Sequence, residues 1–276
     1  MEIAFEDRAM VLQDGDESVL LIADLHIGFH IDLSRRTGAL LPPEHPQMIR
    51  RVQCLASKYN AAHLFILGDV KHSIGVDTSY NWESIPTFME KVQDVVDVTI
   101  VPGNHDGNLR PLLPRRVRVS SPRGIVVYHG EPSVAVMHGH AWPSQSTLEA
   151  QVLVMGHNHP GIRLTRSVTI PTGRGHELKR AVGLLPVVVR TTMNKNCVRR
   201  AQGLRERADA RSTLFVLPSF NPLVSGIDVN KENATLQGPV FSSGCVDVQS
   251  SEVYSTQGIL IGSLRDLQMR NSETIK

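Results

Sequence analysis

Five short polar clusters, each directly after a short apolar run, constrain this chain more than any other feature. The clusters are Asp24-Leu25-His26, Gly68-Asp69, Gly103-Asn104-His105-Asp106, His138-Gly139-His140 and Gly156-His157-Asn158-His159. The runs before them, 19–23, 63–67, 98–101, 133–137 and 152–155, are too short for helices and rich in valine, isoleucine and leucine, which reads as buried strands. Every cluster should therefore emerge where a strand ends and a loop begins. All five can converge on one site.

Helical patterns alternate with these strands. In 82–96, Ile85, Phe88, Met89, Val92 and Val95 recur at helical spacing and predict one face packed on a sheet. In 44–59, Ile49, Val52 and Leu55 do the same less regularly. The runs 186–190 and 213–217 read as later strands that close a second sheet. The fold class is α/β.

The clustered side chains are carboxylates, an amide and imidazoles, with no thiolate. That set points away from a structural zinc site and toward two divalent cations gripping a phosphate ester, with Mn²⁺ first and Fe, Zn²⁺ or Ni²⁺ open as alternatives. The three cysteines, Cys54, Cys197 and Cys245, are odd in number and widely spaced, and do not read as a disulfide framework.

Taken together, the five clusters resemble the D-x-H, G-D, G-N-H-D/E, H and G-H-x-H series of the calcineurin-like metallophosphoesterase superfamily. The resemblance implies a four-layer α/β/β/α sandwich with the metals at a loop edge. It implies that Asp24, His26 and His159 hold one metal, that Asn104, His138 and His157 hold the second, and that Asp69 bridges. It makes His105 a catalytic side chain, with Asp106 as a candidate to orient its ring. For the fourth motif His138 and His140 both remain open as ligand; His138 directly follows the apolar run, and His140 is then a substrate contact. The implied chemistry is in-line hydrolysis by a hydroxide held between two cations.

Gly68-Asp69-Val70-Lys71-His72 lacks the Asp-Arg-Gly that follows this motif in protein phosphatases, and is similar to the G-D-x-x-H of SbcD-type DNA repair nucleases, which makes His72 a substrate-binding residue. Residues 217–223 resemble a segment of archaeal SbcD-related and DNA-ligase-associated phosphoesterases. The implied substrate is nucleic acid, with a ligase or helicase as partner. A small-molecule phosphodiesterase or phosphatase is the alternative, and a non-catalytic scaffold on the same fold is a third.

Among 276 residues, 41% are hydrophobic and the net charge is +2, enough for one large core and no strong overall field. Positive charge is local: 161–211 holds twelve Lys and Arg, from Arg163 to Arg211, against Glu177, Glu206 and Asp209, and reads either as a track for a nucleic-acid backbone or as a solvated face. No apolar run approaches the ~18 residues of a membrane span, and the acidic N-terminus is unlike a secretory signal, so the expectation is a cytoplasmic protein without membrane contact. Residues 1–230 form the expected catalytic domain. Residues 231–276, where apolar periodicity weakens, form an expected C-terminal extension, partly disordered and of unassigned role.

Overall fold

A computed structural model describes residues 1–75, 77–172 and 175–274, with the side chains of 165–172, 175–182 and 270–274 outside the description. The chain opens with β1 (Glu2–Glu6), β2 (Ala9–Asp14) and β3 (Glu17–Ala23), then runs through α1 (Phe29–Thr37) and α2 (His45–Tyr59) to β4 (Ala61–Leu67). From there α3 (Ser79–Gln93) leads to β5 (Asp97–Ile100) and β6 (Arg118–Val119). These six strands form the first sheet in chain order, antiparallel from β1 to β3 and parallel from β3 to β6.

The second sheet begins with β7 (Ile125–Tyr128) and β8 (Val134–Met137), followed by α4 (Gln145–Glu149) and β9 (Val152–Met155). A long antiparallel ribbon of β10 (Pro160–Thr172) and β11 (Gly175–Asn194) precedes α5 (Lys195–Ala201), β12 (Arg211–Val216) and β13 (Ile227–Asp228). The order is β13-β10-β11-β12-β9-β8-β7, with β8, β9 and β12 mutually parallel. The chain closes with α6 (Pro239–Ser242), β14 (Glu252–Ser255), β15 (Leu260–Ser263) and α7 (Leu264–Thr274), β14 pairing with β11.

Strand side chains alternate faces, so a run that is apolar throughout must bury both. In β3, Leu20 and Ile22 pack under α2 and α3 while Leu21 and Ala23 enter the layer between the sheets. In β9, Val152 and Val154 enter that middle layer, while Leu153 and Met155 face the helices and turns covering the second sheet. The result is helix, sheet, sheet, helix. All five expected strands are present as β3, β4, β5, β8 and β9, and the central parallel strands of both sheets end at one edge, where each polar cluster leaves a strand.

Three expectations need correction. Val95 is exposed, because α3 ends at Gln93 and the valine lies in the turn before β5. Residue 230 is not a break in packing: Val240, Phe241, Val246, Val253 and Leu264 are buried in the core of the second sheet. Cys197 and Cys245 form one disulfide, with Cα atoms 5.3 Å apart, since α5 and the C-terminal segment meet on that core; Cys54 is free.

The basic segment carries much of its described charge in pairs. Of its eight cations with described side chains, Arg163, Arg190, Lys195, Arg200 and Arg207 are paired to acids, and Arg199 is buried and bonded to Asn196 and Asp209. Arg166, Arg174, Lys179, Arg180 and the neighbouring His176 lie outside the described side chains. Among the described residues no helix is long and apolar enough to cross a membrane.

Candidate metal centre

Each motif side chain is presented by a loop whose backbone is tied to the next loop. The Asp24 amide donates to the Gly68 carbonyl (3.2 Å), the His26 amide to that of Asp69 (2.8 Å), and the Gly156 amide to that of His138 (3.1 Å). Asp24, His26, Asp69, His157 and His159 all sit at φ between 41° and 69°. Left-handed backbone costs a non-glycine residue roughly 1 kcal/mol or more, and it clusters where a site demands a geometry that relaxed strands do not supply. Two glycines make the close packing of these loops feasible: a Cβ on Gly103 would lie 2.1 Å from Asp69 Oδ1, and one on Gly156 would lie 2.5 Å from Asp24 Oδ2.

The donors converge in two sets. Asp24, His26 and His159 form the first, with His159 Nε2 at 3.2 Å from Asp24 Oδ1 and 3.4 Å from His26 Nε2. Asp69, His138 and His157 form the second, and Asn104 Oδ1 stands 3.2 Å from His138 Nε2. Asp69 faces both, Oδ2 at 3.6 Å from His26 Nε2 and Oδ1 at 3.5 Å from His138 Nε2. Imidazole nitrogens and carboxylate oxygens aimed at shared points fit divalent cations, and these clusters can hold metal. His138 Nδ1 donates to the Leu67 carbonyl (2.8 Å), which leaves Nε2 as the atom available to a cation, the arrangement that outer hydrogen bonds usually impose on a metal-binding histidine. His140 belongs to neither set; its ring lies 5.2 Å from that of His138.

Electrostatics divides the histidines. Burial lowers His26 to about 3, against the pull of Asp24 and Asp69, and burial with the neighbouring His138 lowers His157 to about 4. Both present neutral rings. Burial also opposes charge on His138, but Asp69 and Asp24 outweigh it and push the ring up to about 9. His159 is likewise raised, burial being outweighed by Asp24. Burial opposes charge on Asp69 as well, yet His138 holds it below the carboxylate range.

His105 and His72 stand at the rim. His105 Nδ1 is hydrogen-bonded to the His72 carbonyl at 2.5 Å, which turns Nε2 toward Asp69 Oδ2, 3.9 Å away. Together with His26 these two rings form a third set of possible metal donors. The role expected for Asp106 is corrected here. Its carboxylate accepts from the amides of Val70 (2.9 Å), Lys71 (3.4 Å) and Gly103 (2.8 Å), so it staples two motif loops and the His72 carbonyl orients the His105 ring. Burial pushes Asp106 up to about 6.

A family model described as "Calcineurin-like phosphoesterase superfamily domain" matches residues 18–168. The chain belongs to this superfamily. Membership brings phosphoester hydrolysis as the chemistry and two metals as the usual complement, in keeping with the two donor sets. Among solved structures, a nuclease of Pseudomonas putida called MPE is similar at 19% identity over 91% of this chain and 90% of its own, with a TM-score of 0.50; it shares the fold. A protein of unknown function from Aquifex aeolicus matches at 14% identity over 52% of this chain and 80% of its own, with a TM-score of 0.34, too low to carry weight. No curated protein gives a significant match.

Beyond the family match, the chain adds parts that motif reading missed. Residues 217–223 strap the first motif loop: Ser219 Oγ donates to the Asp24 carbonyl (2.7 Å), Asn221 Nδ2 to that of Leu25 (2.8 Å), and the Phe220 amide to that of Ala23 (2.8 Å). Arg51 lies 3.9 Å over the Phe220 ring and donates to its carbonyl. Ser225, Gly226, Ile227 and Gln237 line the cavity of about 340 Å³ over the centre, and Gln237 is held through its backbone by Asn158. The Leu217-Pro218-Ser219-Phe220-Asn221 string was a usable signal for the strap. Gln237 carried none.

Proposed function

We propose that the chain is a dinuclear metal-dependent phosphodiesterase that cuts nucleic acid, with DNA under repair as its substrate. One observation carries the dinuclear reading: the single carboxylate of Asp69 faces both donor sets, at 3.6 and 3.5 Å. Asp24, His26 and His159 would hold one cation and Asn104, His138 and His157 the other. When bound, two divalent cations, Mn²⁺ in the first instance, would supply an activated water and neutralise charge on the phosphate oxygens.

The protein's own part is positioning and proton delivery. His105 is anchored by Nδ1–H, which donates to the His72 carbonyl, so the ring would act as an imidazolium, passing its Nε2 proton to the departing oxygen as the P–O bond breaks and ending neutral. His72 is held below its ordinary range by burial and by His105, so it meets the substrate as a neutral hydrogen-bonding ring. A nucleic-acid substrate is supported by the fold shared with the Pseudomonas putida nuclease and by His72 in the G-D-x-x-H position of SbcD-type nucleases. The likeness of 217–223 to DNA-ligase-associated phosphoesterases supports a ligase or helicase as partner, in the cytoplasm. His140 has no assigned contact in this scheme.

The internal pairing of most described cations in 161–211 favours a second reading, a small-molecule phosphodiesterase with the same centre. Metal-stripped protein given Mn²⁺, end-labelled single- and double-stranded DNA and bis-(p-nitrophenyl) phosphate separates the two. The nuclease reading expects Mn²⁺-dependent cutting of DNA; hydrolysis of the chromogenic ester with both DNAs intact would refute it.

A further inference from the structure

A second cavity, of about 560 Å³, adjoins the metal centre, and His105 lines both. If His105 protonates the departing oxygen, the group carried by that oxygen extends to the far side of the His105 ring. That side is this cavity. Its walls suit an uncharged ring system. Ile31 and the Tyr80 ring give apolar surface, and Ile74, a large hydrophobic side chain 63% exposed, lines the same cavity. The Tyr80 ring is fixed by a 2.8 Å hydrogen bond from its hydroxyl to His45 Nδ1 and by edge contact with His30. Gly28, at φ 98°, makes the turn into α1 beside that ring, a backbone conformation that favours glycine.

Charge along α1 sorts what can lie where. Asp32 Oδ2 is 3.7 Å from His72 Nε2 and 2.8 Å from Arg36, so an acid already occupies the stretch next to the rim and disfavours a phosphate there. Three residues on, on the same helix face, Arg35 lines the cavity with no ion-pair partner among the described residues. An uncharged group followed by a cation matches a nucleoside followed by the next phosphate of a strand.

We infer that this cavity receives the nucleoside on the leaving-oxygen side of the scissile bond, with Ile74 and Tyr80 against its base and Arg35 on the following phosphate. The assignment rests on the phosphodiesterase reading and on His105 as proton donor. It makes this cavity, and not the basic segment, the part of the enzyme that selects nucleotide substrates.

The test is competition against bis-(p-nitrophenyl) phosphate with the Mn²⁺-loaded full chain. Thymidine and adenosine should inhibit the wild type competitively, and Ile74→Asp, at an exposed position, should weaken that inhibition about tenfold. Trithymidylate should compete more strongly than dithymidylate, and Arg35→Ala should remove the difference. Absence of competition by either nucleoside overturns the assignment, as does undiminished inhibition of Ile74→Asp. If DNA stays uncut while nucleosides still compete, the nuclease reading falls and the cavity stands as the pocket of an enzyme for small nucleotide esters.

Discussion

The metal cradle and the His72–His105 rim belong to one site and are built by opposite means. In the cradle the side chains of Asp24, Asp69 and His138 are at most 3% exposed, the backbones of five candidate donors are left-handed, and glycines let neighbouring loops touch. At the rim the rings of His72 and His105 are 28% and 18% exposed, and the contact that orients the His105 ring is the one from Nδ1 to the His72 carbonyl. Burial and strain are used where several polar donors must be held close together; access is kept where a substrate has to arrive.

The largest effect that would sharpen this contrast comes from the cradle. Asp69→Asn should lose bound metal and at least about a thousandfold of turnover, because the one carboxylate facing both donor sets is gone. Gly103→Ala should do the same through a steric route, its new methyl falling on Asp69. Metal content by elemental analysis beside kinetics checks both; a variant that keeps two metals would break the assignment of Asp69. Next comes the rim, where His105→Ala should cost about 10²- to 10⁴-fold in kcat while metal content stays at the wild-type level.

Smaller effects follow from charge. With His138 raised to about 9, the metal-free protein holds a proton there that binding must expel, so apparent Mn²⁺ affinity should rise with pH up to about 9, by roughly tenfold per unit for one proton released. Titration calorimetry in buffers of different ionisation enthalpy measures that proton. The same shift has a stability sign. A histidine raised in the folded state contributes stability fully present below its unfolded value of 6.5 and lost as pH climbs through about 9. Metal-stripped protein should therefore melt at lower temperature as pH rises over that window; a flat profile would contradict the His138 pairing. The smallest change is Ser219→Ala, which removes one strap hydrogen bond and should cost about 1 kcal/mol of stability in thermal or denaturant unfolding, with little effect on the rim.

Much of the cradle is legible in the sequence. Unbroken apolar runs such as 152–155 require burial on both faces, which placed β9 between two layers, and the polar residues after each run had to leave at the strand end. Conformations at the site were not legible, because an Asp or His gives no local signal that its φ is positive; loop interlocking imposes it. Asp106 was misassigned for a related reason. Its place beside His105 suggested a side-chain dyad, whereas the tight Gly103 turn points the carboxylate at three backbone amides. The Cys197–Cys245 bridge, the strap from 217–223 and Gln237 depend on segments far apart in sequence meeting, the strap reaching from the end of β12 to the first motif loop, which spacing cannot reveal.

The most direct test of a separable cradle and rim is one preparation of His105→Ala measured for bound Mn²⁺ and for cleavage of end-labelled DNA beside the wild type. Two Mn²⁺ per chain with cleavage almost abolished is the predicted result. Loss of metal in that variant, or cleavage at the wild-type rate, would contradict the division of labour between the buried donors and the half-buried rim histidines.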